Sequence, residues 1–268
     1  MPTAKKSFRV DALQVQVYNS EVELAQDVAE KTQQYLQNIL LEKETAALLL
    51  ATGNSQLKFL DTLIANGGID WSRIILFHLD EYLGIASNHP ASFRHYLRER
   101  VENRVNPKIF HYIEGDTMQP LIECDRYTKL LQAQPIDLCC LGVGENGHLA
   151  FNDPAVADFH DSRTVKLVKL DDVNRQQQVN TGYFPKLEAV PQYAFTVTLP
   201  LICSAQKIIC LAQGKRKEKI VQRILHGDVT TDCPASILRT CDKLGTACAK
   251  SERATLFLDV DSVALVES

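Results

Sequence analysis

The sequence predicts an α/β fold in which helices pack on both faces of an open, mostly parallel β-sheet. Short apolar segments alternate with amphipathic segments through most of the 268 residues. Parallel strands that are buried on both faces read as continuous apolar runs, and helical crossovers join one strand to the next. No linker rich in Gly, Ser or Pro divides the chain, so residues 1–268 are expected to form a single domain.

The first strand is expected near residues 13–17, and a helix follows it. Ser20 and Glu23 form a capping-box pair where this helix begins, and leucines and a valine recur after them at near-helical spacing. Further strands are predicted, in chain order, at residues 46–51, 74–79, 109–113, 136–141, 165–170, 195–199, 208–211 and 256–258. Helices are predicted to end near residue 65 and to cover residues 90–101, 121–131 and 217–225.

Charge and composition favour a small-molecule partner. The net charge is −4, from 29 basic and 33 acidic residues, and the longest basic run covers only residues 215–217. This balance gives no electrostatic footprint for nucleic acid or for an anionic membrane. The amino terminus lacks a signal-peptide core, and no segment approaches the roughly 18 apolar residues of a membrane span, so a cytoplasmic protein is expected.

The eight cysteines are predicted to be buried free thiols. There is no C-x-x-C motif, and Cys139 and Cys140 are adjacent in an apolar strand. Cys233, Cys241 and Cys248 are spaced too widely for a standard zinc ribbon. Neither a metal nor an organic cofactor is predicted.

Four polar clusters follow predicted strands: residues 52–55, 80–81, 142–153 and 214–217. Ligands in open parallel sheets bind beyond the carboxyl ends of the strands, so the fold should bring these clusters together. Backbone amides at the helix start after Thr52 and Gly53 suit a phosphate, and Lys217 could supply countercharge. The alternatives are an ordinary turn with Ser55 as an N-cap, and a solvated helix start at 215–217.

The segment 142–154 reads GVGENGHLAFNDP and also matches G-x-G-x-x-G. A dinucleotide fingerprint needs a helix from its third glycine, but Pro154 arrives seven residues after Gly147, so an irregular polar loop is predicted instead. His148 and Asp153 are five residues apart, close enough to form a proton-shuttling pair. A metal site that combines these residues with His78 or Asp80 is the less favoured interpretation.

Asp80 follows an apolar run, and strand alternation would put it on the same face as His78. An exposed aspartate is a weak base at neutral pH, so a catalytic role would need burial to raise its pKa. The alternative is a turn or N-cap aspartate.

These residues make the chain resemble the glucosamine-6-phosphate deaminases over nearly its whole length. The resemblance lies in LDEYLGI (79–85) and GVGENGHLAFNDP (142–154), with support from SRT (162–164) and PAS (234–236). It implies a Rossmann-like sugar-phosphate isomerase fold, and a reaction that converts an aminosugar phosphate into fructose 6-phosphate and ammonia without a cofactor.

The resemblance also implies roles for individual residues. Asp80 would move a proton between C2 and C1 of the opened sugar, and His148 would open the ring. Asp153, where many relatives have Glu, and Asn146 would orient His148. The phosphate would be held by Thr52, Gly53, Asn54, Ser55 and Lys217.

Two departures from the family pattern bear on the substrate. Gly182 stands where many relatives carry a phosphate-binding arginine, and Gly53-Asn54-Ser55-Gln56 replaces the commoner GGTP. Arg163 or Arg175 could compensate for the arginine. Val165 and Leu167 occupy likely effector positions, so activation by N-acetylglucosamine 6-phosphate is not predicted.

Three other functions were weighed: a 6-phosphogluconolactonase, a sugar-phosphate-binding regulator without catalysis, and an NAD-dependent oxidoreductase. LDEY and AFNDP favour the deaminase over the lactonase, and the presence of both Asp80 and His148 argues against a regulator. The sugar epimer stays open, and a homo-oligomer is compatible with this reading.

Overall fold

Two β-sheets organise the chain, and the computed structural model describes residues 3–180, 182–241 and 253–265. The strands in chain order are β1 (Lys6–Val10), β2 (Leu13–Tyr18), β3 (Ala46–Leu50), β4 (Ile74–His78), β5 (Asp80–Tyr82), β6 (Ile109–His111), β7 (Leu138–Gly142), β8 (Val165–Lys169), β9 (Tyr193–Val197), β10 (Lys207–Ala212) and β11 (Ala254–Asp259).

The larger sheet has eight strands in the order β1-β2-β11-β10-β7-β3-β4-β6. Every neighbouring pair is parallel except the hairpin of β1 and β2. The predicted open, mostly parallel sheet is therefore confirmed. The strand β1 was not predicted, because its sequence KSFRV mixes polar and apolar residues at an exposed edge.

The helices are α1 (Glu21–Glu42), α2 (Asn54–Asn66), α3 (Phe93–Leu97), α4 (Asn103–Val105), α5 (Pro120–Gln132), α6 (Asp172–Asn180), α7 (Leu199–Ser204) and α8 (Glu218–His226). The helix predicted over 90–101 is shorter, since α3 runs into a π-helical turn at Arg98–Glu102. Ser20 caps α1 by accepting from the Glu23 N–H, which is half of the predicted capping box. The Glu23 carboxylate accepts from the Asn19 N–H. Within the described residues, no helix has the length and apolarity needed to cross a membrane.

The larger sheet has one apolar layer on each face, and a third apolar cluster packs around the smaller sheet. Leu48 and Leu50 of β3 belong to the layer that contains α1 and α2, whereas Leu49 belongs to the layer that contains α5, α7 and α8. This alternation follows from the period of two in a strand. Fully burying such a side chain stabilises the fold by about 1.5–3 kcal/mol. The described cysteines are free and buried, as predicted, and Cys248 lies outside the described residues.

The smaller sheet differs from expectation. The segments predicted at 165–170 and 195–199 do form strands, β8 and β9, but they pair antiparallel with each other, and β5 pairs with β9. This sheet is separate from the larger one. Its effect is to make Asp80 and Glu81 part of a hydrogen-bonded strand, so Asp80 is neither an N-cap nor a turn residue.

The end of β4 is fixed by Tyr127, which is fully buried on α5. Its hydroxyl accepts from the His78 N–H at 2.9 Å and donates to the His78 carbonyl at 2.9 Å. Both contacts lie two residues before Asp80, so they stabilise the backbone that carries this carboxylate.

We expect Tyr127→Phe to lower the free energy of unfolding by about 1–3 kcal/mol, because the buried His78 N–H loses its partner. Chemical denaturation would measure this. Tyr193→Phe is the control, since Tyr193 is 42% exposed, and it should change stability by less than about 0.5 kcal/mol. Equal effects from the two variants would contradict the role given to Tyr127.

Candidate active site

A cavity of about 780 Å³ lies along the carboxyl edge of the larger sheet. It is lined by the segments that directly follow β2, β3, β4, β7, β10 and β11. Because parallel strands all end at the same edge, residues that are distant in sequence meet here. All four predicted polar clusters contribute to the lining.

The structure brings most of the predicted site residues to this cavity. Its lining includes Thr52, Gly53, Asn54, Ser55, Asp80, His148 and Lys217. Asn146 and Asp153 lie behind His148 and contact it without lining the cavity.

His148 is held by a carboxylate and a carboxamide. Its Nδ1 lies 2.9 Å from Asp153 Oδ1. Asn146 Nδ2 donates to the same oxygen at 2.7 Å, and Asn146 Oδ1 accepts from the His148 backbone N–H at 3.0 Å. The Asp153 side chain is 5% exposed and that of His148 is 20% exposed, so the carboxylate is shielded while the ring stays accessible. With Nδ1 against Asp153, Nε2 is the nitrogen free to exchange a proton with a ligand.

The loop that carries His148 is closed tightly on itself. The Gly144 N–H donates to the His148 carbonyl at 3.0 Å, and the Gly147 N–H donates to the Gly144 carbonyl at 3.0 Å. A Cβ at Gly144 would lie 2.2 Å from Cε1 of the His148 ring, so only glycine leaves room for the imidazole. No helix begins at Gly147, and the irregular polar loop predicted from Pro154 is confirmed.

Asp80 begins β5 and is 8% exposed. Burial raises its pKa well above the ordinary value of an aspartate, and the neighbouring Glu81 carboxylate raises it further. A carboxylate in this environment is a stronger base than an exposed one. It therefore meets the burial condition for proton transfer at carbon.

His78 does not share the cavity with Asp80. It is fully buried against the rings of Phe110, Tyr112 and Tyr127, and its Nε2 accepts from the Ile113 N–H at 2.8 Å. Burial lowers its pKa to about 3, so the imidazole is neutral. His78 is a packed strand residue. Among the described residues, no group of three or more His, Cys, Asp or Glu side chains is arranged to hold a metal ion.

The part of the cavity wall at the start of α2 suits an anion. Helix α2 begins at Asn54, and no side chain caps it. The alternative in which Ser55 caps the helix is therefore wrong: Gly53 is the N-cap, with a φ of +97° that favours glycine. Uncapped N–H groups and the helix dipole favour a negative ligand at this position. Gln56 is fully buried, and its side-chain amide anchors the turn by donating to the Leu141 carbonyl at 3.0 Å.

Cations also line the cavity wall. Lys215, Arg216 and Lys217 form a single 3₁₀ turn before α8, and all three contribute to the lining. Lys217 Nζ donates to the Val143 carbonyl at 2.6 Å, and burial lowers its pKa. The Asp259 carboxylate accepts from the Gly214 N–H at 2.9 and 3.0 Å, which holds the turn against β11. Lys215 and Arg216 are exposed, as the alternative of a solvated helix start predicts, whereas Lys217 is half-buried.

Neither arginine suggested as a replacement at position 182 lies in the cavity wall. Arg175 donates to the carbonyls of Leu187 and Val190. Arg163 lines a separate cavity of about 390 Å³ beside α5 and β8. The nearby arginine in the cavity wall is Arg216. The sequence indicates the run 215–217 as a source of countercharge, but it does not single out Arg216 within that run.

Comparisons with known proteins identify the family of this chain. The family described as glucosamine-6-phosphate isomerases/6-phosphogluconolactonase matches residues 19–246. This chain belongs to that family. It is 35% identical over 219 residues to glucosamine-6-phosphate deaminase of Exiguobacterium sibiricum, covering 81% of this chain and 84% of that protein. Identity to the glucosamine-6-phosphate deaminase of Listeria monocytogenes serotype 4a is 32% over 211 residues, with 79% and 88% covered.

Solved structures of the family agree. A monomeric glucosamine-6-phosphate deaminase superposes with a TM-score of 0.81 and 29% identity, over 94% of this chain and 99% of that one. The 6-phosphogluconolactonase of Thermotoga maritima superposes with a TM-score of 0.71 and 19% identity, over 92% and 99%. The second likeness shows the common fold alone.

Sequence reasoning missed several residues that support the site. Tyr96 donates from its hydroxyl to the Gly53 carbonyl at 3.1 Å, and Gln213 Nε2 donates to the Ser55 carbonyl at 3.0 Å. Asp259 anchors Gly214. Asp259 could have been found, because it ends an apolar strand as Asp80 follows one. Tyr96 gives no such signal, since it lies within a helix.

We expect Gly144→Ala to displace the His148 ring from Asp153 and to slow the catalysed reaction by roughly 100-fold or more, the usual contribution of a positioned acid–base group. Turnover and a crystal structure of the variant would test this. Gly67→Ala is the control, because a Cβ at Gly67 meets no neighbouring atom and Gly67 lies outside the cavity lining, although its φ of +66° favours glycine. Gly67→Ala should lower stability and leave turnover unchanged. An undisturbed imidazole in Gly144→Ala would refute the steric argument.

Proposed function

We propose that this protein is an aminosugar-phosphate deaminase that converts glucosamine 6-phosphate, or an epimer of it, into fructose 6-phosphate and ammonia. One observation carries the proposal: Asp80 and the His148–Asp153 pair share a cavity with an uncapped helix start and a run of cations. The family and its deaminase relatives support the same substrate class.

The phosphate would lie at the start of α2, where the turn 52–55 faces the cations of 215–217. Lys217 and Arg216 would neutralise its charge. Cations are disfavoured near a helix N-terminus by about 0.3–1 kcal/mol. A dianion bound between α2 and α8 would offset this effect and the mutual repulsion of Lys217 and Arg216. Arg216 in this position would take the role of the arginine missing at Gly182.

The chemistry would follow from the two acid–base groups. His148, oriented by Asp153 and Asn146, opens the ring by moving a proton between the C1 hydroxyl and the ring oxygen. Asp80 then removes the proton from C2 to give an enolamine and returns it to C1. Water adds to the resulting C2 imine, and ammonia leaves, so that the ketone of fructose 6-phosphate forms. Each step is a proton transfer, the addition of water or the loss of ammonia, so none needs an external oxidant or reductant.

The same proposal has consequences for where and how the protein works. A phosphorylated sugar carries charge that an apolar bilayer excludes, so we place the reaction in the cytoplasm, in the breakdown of N-acetylglucosamine-derived amino sugars. The overall step consumes water, which makes the enzyme a hydrolase in outcome and an isomerase in mechanism. We propose that residues 1–268 form one domain. A homo-oligomer of this domain is compatible with the proposed function.

The deciding experiment is ammonia release by the purified protein from glucosamine 6-phosphate, with galactosamine 6-phosphate and 6-phosphogluconolactone in parallel. Release from one aminosugar establishes the deaminase and identifies the epimer. Hydrolysis of the lactone alone would replace the proposal with a lactonase. Binding of sugar phosphates with no turnover of any of them would replace it with a regulator.

Asp80→Asn should reduce turnover by at least about 100-fold while changing substrate affinity only modestly, because the carboxylate acts mainly in the transition state. Steady-state kinetics with glucosamine 6-phosphate would separate the two effects. Asp228→Asn is the matched control at an exposed position, and it should match the wild type. Near-normal turnover in Asp80→Asn would eliminate the assigned proton transfer.

Lys217→Ala should chiefly raise the half-saturating concentration of the phosphorylated substrate, by about 10-fold or more, because hydrogen bonds to charged groups contribute about 1.5–3 kcal/mol. Lys219→Ala, at an exposed position on the same helix, serves as the control. If the half-saturating concentration is the same in both variants, Lys217 does not bind the phosphate.

A further inference from the structure

Glu81 is a buried carboxylate that the proposed reaction does not use. It is fully buried, and both of its oxygens accept hydrogen bonds. Oε1 accepts from the N–H groups of Tyr82 at 3.0 Å and Phe93 at 3.1 Å. Oε2 accepts from the Ser92 hydroxyl at 2.7 Å and the Arg94 N–H at 2.9 Å. Burial raises the pKa of Glu81, and these four hydrogen bonds counter the rise. Three of the partners are backbone N–H groups, which cannot accept a proton, so the geometry favours the ionised form.

These contacts join two parts of the cavity. Glu81 follows Asp80 on β5, and alternation along a strand puts the two side chains on opposite faces. While Asp80 faces the cavity, Glu81 reaches back to hold the start of α3, and Ser92 and Phe93 line the cavity wall. Tyr96 of the same helix donates to the Gly53 carbonyl. One carboxylate thus links the strand of Asp80 to the cavity wall and, through α3, to the phosphate turn.

The charge of Glu81 also acts on Asp80. The other titratable groups that interact with Asp80 are neutral, since burial lowers the pKa of His78 to about 3 and raises the pKa values of Tyr82 and Tyr127. His148 and Lys217 line the same cavity as Asp80. On the far side of Glu81, Arg94 Nε lies 3.5 Å from Oε2, and the Arg94 guanidinium also donates to Asp116 at 2.9 Å. Arg94 therefore offsets part of the negative charge.

We propose that Glu81 is a positioning residue for the proton-transfer step: its buried carboxylate fixes the cavity wall against the strand of Asp80, and its negative charge makes Asp80 a stronger base. Its catalytic consequence rests on the proposed deaminase function. The proposal accounts for a carboxylate that is held by four hydrogen bonds directly beside one that must accept a proton from carbon.

The test is the pH profile of kcat/KM for glucosamine 6-phosphate in Glu81→Gln. Removing the like charge lowers the proton affinity of Asp80, so the acidic limb should move to lower pH by about half a unit or more. Ser92→Ala is the matched control: it removes one hydrogen bond from Glu81 but keeps the charge, so it should lower stability and leave the limb in place. An unmoved limb in a folded Glu81→Gln variant overturns the proposal.

A second variant covers the case in which Glu81→Gln does not fold. Arg94→Gln keeps Glu81 and removes the cation that offsets it, so the acidic limb should move to higher pH, the opposite direction. No movement, or movement to lower pH, overturns the proposal. A carbon-13 NMR titration of the Asp80 carboxyl, assigned with Asp80→Asn, makes the same comparisons without turnover. If the variants show the expected shifts by NMR and the wild-type protein releases no ammonia, the result contradicts the deaminase function and supports the role of Glu81.

Discussion

The parallel direction of the strands in the larger sheet is the constraint on which the site depends. Every strand that contributes to the cavity ends at the same edge, so each following loop begins within reach of the others. Residues as far apart in sequence as Asn19 and Asp259 line one space for this reason. The apolar strands stabilise the fold by burial. Polar residues lie at the carboxyl ends of these strands, outside the apolar core, where burying them would be costly.

The chemistry within this space depends on how much each carboxylate is compensated. Asp80 and Glu81 are consecutive and both buried, but Glu81 accepts four hydrogen bonds. Burial of a charge without partners is costly, and the protein can lower that cost by protonating the group. Burial raises the pKa of both carboxyl groups, but only at Glu81 do hydrogen bonds from Ser92 and from backbone N–H groups counter the rise. This difference in hydrogen bonding therefore distinguishes Asp80, the proposed proton acceptor, from the adjacent Glu81, a structural anion.

The sequence predicted what local pattern and sheet geometry determine. Runs such as residues 46–50 are apolar at every position, which is possible only in a strand covered on both faces, and the residues after them were correctly placed at the cavity. The pairing of β8 and β9 could not be predicted, because an apolar run does not record which neighbour it will bind or in which direction. The placement of Arg163 and Arg175 failed for the same reason, since their partners are decided by packing.

The loop of 142–153 shows why motif and geometry must be judged together. Its glycines fit a dinucleotide fingerprint by spacing, yet Gly144 is needed because the His148 ring occupies the space of a Cβ, and the N–H of Gly147 closes the turn on the Gly144 carbonyl. No helix begins at Gly147, as a pyrophosphate-binding fingerprint would require. The imidazole packs on a glycine and contacts a shielded carboxylate, so its orientation is restricted. In the proposed reaction His148 would therefore act without the entropy loss that a mobile side chain would incur on binding. The same rigidity makes the site sensitive to changes that add a single carbon atom behind the ring.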